Sequence, residues 1–437
     1  MTQKVRRASL AATVFISIFS VLERASAFSN RLPVPSGKFG VAHVAFDWVD
    51  SSRPETASTT TGARPELMVY VWYPTEKKSE TARAAYLPGA ESIAKSMENH
   101  DIKQLWGNAW PAIESGQIVG ETYDGTRVAS GTEKFPLLVF SPGLGVPGTT
   151  YTSLIQQLVS RGYIVASIEP TYEVAAVAFP DGRVIVSSPQ AMGHNLPSPP
   201  DDTKENFLSR MHEFDASHIN KWAADVRFVI DRVAALNETA GKDRAPFSDR
   251  VDLSNVAAWG HSFGGRAAAR VCQLDSRIRA CLNADGLGPD GPIFTCNGES
   301  LPAQPFMWIE VFHEPPTDAQ LAPYKMTRKD WEKDHQAQLA TNNQQLKDCP
   351  GGSYHVSINL PGIEHFSFSD KPLVEAAATE DARNATQALT VIEDYVSAFF
   401  DKHLKRAGDT LLDQAHGSSG VSVEKFGGLP SNDGAHD

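Results

Sequence analysis

The chain has 437 residues, 41% of them hydrophobic, with 40 Lys and Arg against 52 Asp and Glu. That is enough apolar material to close a large core, and the length allows one large α/β domain or two smaller ones; one is expected, because nothing mid-chain reads as a linker. The acidic balance argues against a nucleic-acid partner, since phosphate binding needs basic patches and no basic run longer than a pair occurs.

At the N-terminus, Lys4, Arg6 and Arg7 precede an apolar run from Ala8 to Leu22, and Ala25-Ser26-Ala27 has the small-x-small form of a cleavage site. The run is short for a bilayer span, and Glu23 and Arg24 interrupt it. Residues 1–27 are therefore expected to be a cleaved secretory signal, leaving a secreted chain, extracellular or periplasmic, that begins near Phe28. Without this segment 36 basic residues face 51 acidic ones, a net charge near −15. In an exported chain the four cysteines favour disulfides; Cys272 with Cys281 and Cys296 with Cys349 are the expected pairs. No CxxC or CxxH spacing occurs, so no metal site is expected.

After the signal, Gly40 to Val49 and Leu67 to Trp72 read as strands, separated by the polar loop Pro54 to Arg64. From Phe135 the pattern changes to short apolar runs alternating with helical periodicity, the mark of a mostly parallel sheet with helices on both faces. The expected strands are Pro136 to Phe140, Tyr163 to Ile168, Val256 to Trp259, Ile278 to Asn283, Phe306 to Val311 and His355 to Leu360. The expected helices are Thr150 to Arg161, Ser217 to Leu236, Ser262 to Leu274 and Ala385 to His403. In the second of these, Trp222, Val226, Val229, Ile230 and Val233 form one apolar stripe, read as core. Residues 315–345 are polar and helical in tendency, an excursion suited to a lid or rim. Residues 406–437 are rich in Gly, Ser and Asp and are expected to be a poorly ordered tail.

Gly260-His261-Ser262-Phe263-Gly264 matches G-x-S-x-G, and it follows an apolar strand and opens a helix, as that motif requires. The turn crowds the backbone on both sides of the serine, so glycine is needed at 260 and 264 and the hydroxyl is pushed outward. Serine needs a base held by a third group. In the order Ser, acid, His, the base is His365, directly after the last expected strand, ahead of His313 and His355, which read as structural. The acid is open between Asp285 and Glu314, each ending a strand. An oxyanion hole needs two backbone N–H groups: one from Phe263, the other from Ser141-Pro142-Gly143-Leu144-Gly145, with Leu144 preferred.

Residues 64–74 (Arg-Pro-Glu-Leu-Met-Val-Tyr-Val-Trp-Tyr-Pro), the loop Phe140 to Gly145, Gly260 to Gly265 and Ala284-Asp285-Gly286 together resemble the platelet-activating-factor acetylhydrolase family, within the α/β-hydrolase superfamily. The resemblance runs from about Leu32 to His403 and implies an α/β-hydrolase domain over residues 28–405. In that family the acid follows the strand after the nucleophile helix, which favours Asp285. The implied activity is hydrolysis, without cofactor or metal, of acetyl, short or oxidised sn-2 acyl esters of glycerophospholipids. The implied partner is a lipid or small-molecule ester, with transient contact at a lipid interface. A general carboxylesterase or polyesterase is the alternative, and a non-catalytic binding protein a minor one. Glu169-Pro170-Thr171 stands where the family often has a histidine.

Overall fold

The computed structural model describes residues 30–77, 82–97, 106–187, 191, 203–286, 300–322, 325–375, 380–408, 410–414 and 419–427. The signal segment 1–27 and Cys296 lie outside the described residues. Twelve strands are described: β1 (Gly40–Val49), β2 (Glu66–Thr75), β3 (Thr122–Asp124), β4 (Phe135–Ser141), β5 (Ile164–Glu169), β6 (Ala176–Ala178), β7 (Val184–Val186), β8 (Val251–His261), β9 (Ile278–Ala284), β10 (Phe306–Val311), β11 (Ser353–Ile358) and β12 (Val421–Phe426). The longer helices are α1 (Thr152–Ser160), α2 (Lys204–Glu238), α3 (Phe263–Leu274), α4 (Arg328–Lys347) and α5 (Glu380–Leu404).

Ten strands form one sheet in the order β12-β11-β10-β9-β8-β4-β5-β2-β1-β3. From β11 to β5 every pairing is parallel, while β2 and β12 join antiparallel. The parallel strands are apolar almost throughout because both of their faces are covered. On one face Leu154, Ile155 and Leu158 of α1 and Ile392, Val396 and Phe399 of α5 pack on Leu138, Phe140 and Val165. On the other, Val226, Val229 and Val233 of α2 and Ala268 and Val271 of α3 pack on Leu137, Val139 and Ala258. The chain runs from β4 outward to β5, then returns to place β8 on the other side of β4. The order therefore reverses at β4, and the crevice beyond the carboxyl ends of β4 and β8 is where such sheets bind ligands.

The expected strands and helices all form, with three extensions. α2 starts at Lys204, thirteen residues before the expected start at Ser217, because Thr203 caps it by accepting the Asn206 N–H at 3.2 Å; the first turns are too polar to register as periodic. The excursion 315–345 contains a short helix, Asp318–Leu321, and α4, each begun by a threonine capping box. Residues 406–437 are not tail throughout. Val421–Phe426 pairs with β11, burying Val421, and the Lys425 ammonium lies 2.9 Å from Asp413, which Lys402 also meets at 2.8 Å. Six residues among Gly and Ser are a weak strand signal, and it is a free sheet edge that recruits them.

Cys272 of α3 is joined to Cys281 of β9, as expected. Of the second expected pair, Cys296 lies outside the described residues, and Cys349 is a free, buried thiol 3.3 Å from the Pro302 carbonyl oxygen. The disulfide closes a loop with a sequence separation of 9. Replacing Cys272 and Cys281 together by Ala should cost about 2–3 kcal/mol of stability on chain-entropy grounds, read as a lower urea midpoint. An unchanged midpoint would contradict this.

Candidate active site

The strand-to-helix turn after β8 leaves no room for side chains. A Cβ on Gly260 would lie 2.3 Å from the Gly264 carbonyl carbon, and one on Gly264 would lie 2.1 Å from the Ser141 oxygen. Ser262 takes φ 55° and ψ −124° between them, a strained conformation for a residue with a Cβ, and its N–H is tied to the Ala284 oxygen at 2.8 Å. The hydroxyl thus stands at the amino end of α3, where the helix favours developing negative charge.

His365 opens a short 3₁₀ turn, His365–Phe368, beyond β11. Its Nε2 lies 3.0 Å from Ser262 Oγ and its Nδ1 2.5 Å from Asp285 Oδ2. Asp285, at the end of β9, is 4% exposed and has φ 51°. It also accepts the Val311 N–H at 3.2 Å and His313 Nε2 at 3.0 and 2.9 Å. Burial alone would raise this carboxyl, but the bonds from His313 and His365 prevail and hold it well below the usual carboxylate range. The structure therefore brings Ser262, His365 and Asp285 together, and leaves Glu314 exposed on the wall of the same cavity. His313 is the group that sequence reasoning set aside. Its position next to Glu314, at the end of a strand adjacent to β9, was the available signal.

The loop after β4 lies opposite. The Gly143 N–H donates to Tyr151 Oη at 3.1 Å, that of Gly145 to the Glu173 oxygen at 2.8 Å and that of Val146 to the Gly143 oxygen at 3.0 Å. Leu144 is then the residue of the segment 143–146 whose N–H meets no partner among the described residues, and Phe263, first in α3, has no intrahelical acceptor for its own. Both side chains belong to one small cluster with Ile219, Trp222 and Ala267, in which Trp222 meets Phe263 edge to face at 5.1 Å. The Trp222 indole donates to Glu173 Oε2 at 2.9 Å, and Lys221 meets the same oxygen at 2.9 Å. Trp222, read as core, thus supports both candidate oxyanion donors.

His261 is buried beneath the turn. The Tyr151 hydroxyl donates to its Nδ1 at 2.8 Å, and its Nε2–H donates to the His365 carbonyl at 2.9 Å. Burial, reinforced by the neighbouring His365, pushes its basicity well below the ordinary histidine value, so it stays neutral in this one tautomer. Although His261, Asp285 and His365 lie close enough to hold a cation, these hydrogen bonds already occupy the ring nitrogens. His355 bonds Glu310 at 2.9 Å and stacks on Trp308, a structural role as expected.

A cavity of about 510 Å³ opens on Ser262 and His365. Leu144, Phe263 and Arg266 form one wall, His313, Glu314 and Pro316 another, and Trp331, His335, Gln338, Leu339 and Asn342 of α4 the roof. The roof residues fall at helical spacing on one face of α4, so the excursion expected as lid or rim does border the site.

The fold and this crevice define an α/β hydrolase. A ferulic acid esterase from Streptomyces cinnamoneus superposes with a TM-score of 0.60 at 24% identity, covering 90% of this chain and 98% of that one. The resemblance to the platelet-activating-factor acetylhydrolases is also shown: the family model described as platelet-activating factor acetylhydrolase, isoform II, matches residues 29–183. A probable 1-alkyl-2-acetylglycerophosphocholine esterase of Arthroderma benhamiae is 23% identical over 88% of this chain and 91% of its own. A platelet-activating factor acetylhydrolase of Cavia porcellus is 27% identical over 44% and 47%, respectively. These comparisons support ester hydrolysis.

Glu169, first of the segment Glu169-Pro170-Thr171, is buried at the end of β5 and accepts the N–H groups of Gly148 and Thr149 at 2.8 and 3.0 Å. Burial pushes its carboxyl up to about 8 against the pull of those two donors. The folded state therefore holds this proton more tightly than the unfolded chain. The stability it contributes is complete below the ordinary value of 4.5 and is lost as pH rises toward 8. Thermal melts of Glu169→Gln and wild type should diverge in the variant's favour between about pH 5 and about pH 8.5. A difference that stays constant with pH would contradict this.

Proposed function

We propose that this chain is a secreted serine ester hydrolase that removes short acyl groups through an acyl-enzyme. The observation that carries the reading is the unbroken hydrogen-bond chain from Ser262 through His365 to Asp285, at the mouth of a cavity bordered by the N–H groups of Leu144 and Phe263. Ser262 Oγ attacks the ester carbonyl while His365 Nε2 takes its proton. Asp285 fixes the Nδ1–H tautomer and stabilises the imidazolium. The tetrahedral oxygen is held by Leu144 and Phe263 N–H at the amino end of α3. Collapse expels the alcohol, which receives the proton from His365. Water, deprotonated by the same nitrogen, then attacks the acyl-enzyme, and the second collapse releases the acid and restores Ser262.

The named relatives favour the sn-2 acetyl or short acyl ester of a glycerophospholipid as substrate. A second reading, a general carboxylesterase on small or polymeric esters, draws on the roof, where Trp331, His335, Gln338 and Asn342 set aromatic and polar groups beside Leu339. Export follows from the leader expected at residues 1–27. No described helix is long and apolar enough to cross a membrane.

Ser262→Ala should keep the fold and lower kcat by several orders of magnitude, with loss of fluorophosphonate labelling. Activity within about tenfold of wild type would exclude the serine mechanism. Acetyl, butyryl and long-chain esters assayed with and without a glycerophosphocholine head group separate the two substrate readings: the first requires a marked gain from the head group. For the acid, Asp285→Asn should lose about a thousandfold or more while Glu314→Gln stays near wild type. The opposite result would move the role to Glu314.

A further inference from the structure

His313 follows β10, and its ring stands beside the reacting groups. Its Nε2 is 3.0 Å from Oδ1 and 2.9 Å from Oδ2 of Asp285, the carboxylate that also receives His365 Nδ1. An ionised carboxylate only accepts hydrogen bonds, so this nitrogen carries a proton whether the ring is neutral or charged. Apart from the two rings, the group that bonds the Asp285 side chain among the described residues is the Val311 N–H, at 3.2 Å on Oδ1. Without His313, a single long bond would resist rotation of the carboxylate away from His365. The two imidazole rings are 5.8 Å apart. The His313 side chain is 52% exposed and lines the cavity, so it faces substrate space rather than the packed interior.

We propose that His313 is a positioning residue for the hydrolysis: it clamps the Asp285 carboxylate toward His365 and, because both imidazoles share that carboxylate, its charge sets the pH range in which His365 serves as base. This rests on the roles given above to Ser262, His365 and Asp285. The charged or titratable groups around His313 are Asp285 from the end of β9, Glu310 on its own strand, His365 from the turn after β11, the buried His261 beneath Ser262, and Arg266, Glu314 and His335 on the cavity walls. The bond to Asp285 holds His313 above the ordinary histidine range, against the effect of burial.

The consequence follows from charge alone. When His365 takes the Ser262 proton, Asp285 must stabilise a cation while a second imidazole is bonded to the same oxygens. If His313 is protonated, the repulsion between the rings opposes His365 protonation in the resting protein and in the transition state by the same interaction. A charged His313 therefore moves the acid limb of the rate profile to lower pH and lowers the plateau, whereas a neutral donor at this position does the reverse.

The test is the pH dependence of kcat/KM for 4-nitrophenyl acetate, with thermal melts, for the full-length protein and two variants. His313→Gln keeps an N–H donor but cannot become charged. Its acid limb should move up by about half a pH unit to one unit, with a plateau no lower than wild type. His313→Ala removes the clamp, so kcat should fall about tenfold or more with KM within about twofold. The melts check that both stay folded at the assay temperature; the Ala variant, which leaves the buried Asp285 carboxylate with one partner fewer, should be the less stable of the two. A Gln variant whose acid limb superimposes on wild type, or an Ala variant with unchanged kcat, overturns the proposal. If Ser262→Ala hydrolyses the ester as fast as wild type in the same assay, it is the serine esterase reading that fails instead.

Discussion

The close approach of three backbone segments at Gly260, Gly264 and Ser141 is the constraint on which the rest depends. With the Gly264 α-carbon pressed against the Ser141 oxygen, the chain leaving β8 can enter α3 only through a sharp turn, and Ser262 at its apex is forced to positive φ. The same contact brings the loop after β4 alongside the amino end of α3, so the Leu144 and Phe263 N–H groups border one small space. The strain at Ser262 persists because both flanking elements are fixed by the parallel sheet, and because its N–H is bonded to the strand that ends in Asp285.

Around this turn a second set of contacts ties the loops to one another. Gly143 N–H, Tyr151 Oη, His261 and the His365 carbonyl form a continuous series of hydrogen bonds running beneath Ser262. It joins the loop after β4 to the turn that bears His365 by way of a residue one position from the serine. Each member has its donors and acceptors assigned, and a neutral His261 is the one state that satisfies both ends, so the series is rigid rather than switchable. Glu173 does similar work on the other flank, its backbone oxygen holding Gly145 while its buried carboxylate holds Trp222.

Much of this was legible in the sequence, for specific reasons. The parallel strands stood out because burial on both faces leaves no polar positions, and Ser262 because its glycines are a steric necessity of the turn. His365 followed from chain order. The choice of Asp285 over Glu314 did not follow from local pattern, since both end strands; it needed the family resemblance, and then the geometry. What stayed hidden was set by contacts distant in sequence. His313 reads like any histidine at a strand end until β9 and β10 pair and put Asp285 beside it. Val421–Phe426 carries too little pattern to register without the free edge of β11.

The length of α2 has a consequence of its own. Lys204 meets Asp334 of the roof, Asp215 meets Arg266 of α3, and His218 and Trp222 meet Glu173 behind the loop after β4. At about 100° per residue, positions 204, 215, 218 and 222 fall within a narrow arc, so one face of a single rod about 50 Å long braces both the roof and the wall of Leu144, Phe263 and Arg266. Inserting or deleting one residue between 204 and 215 would turn the two ends of that face out of phase by roughly a quarter of a turn, releasing the roof while the nucleophile helix stayed seated. In this stretch of polar, weakly patterned sequence, the phase between the two contacts depends on the count of residues that separates them.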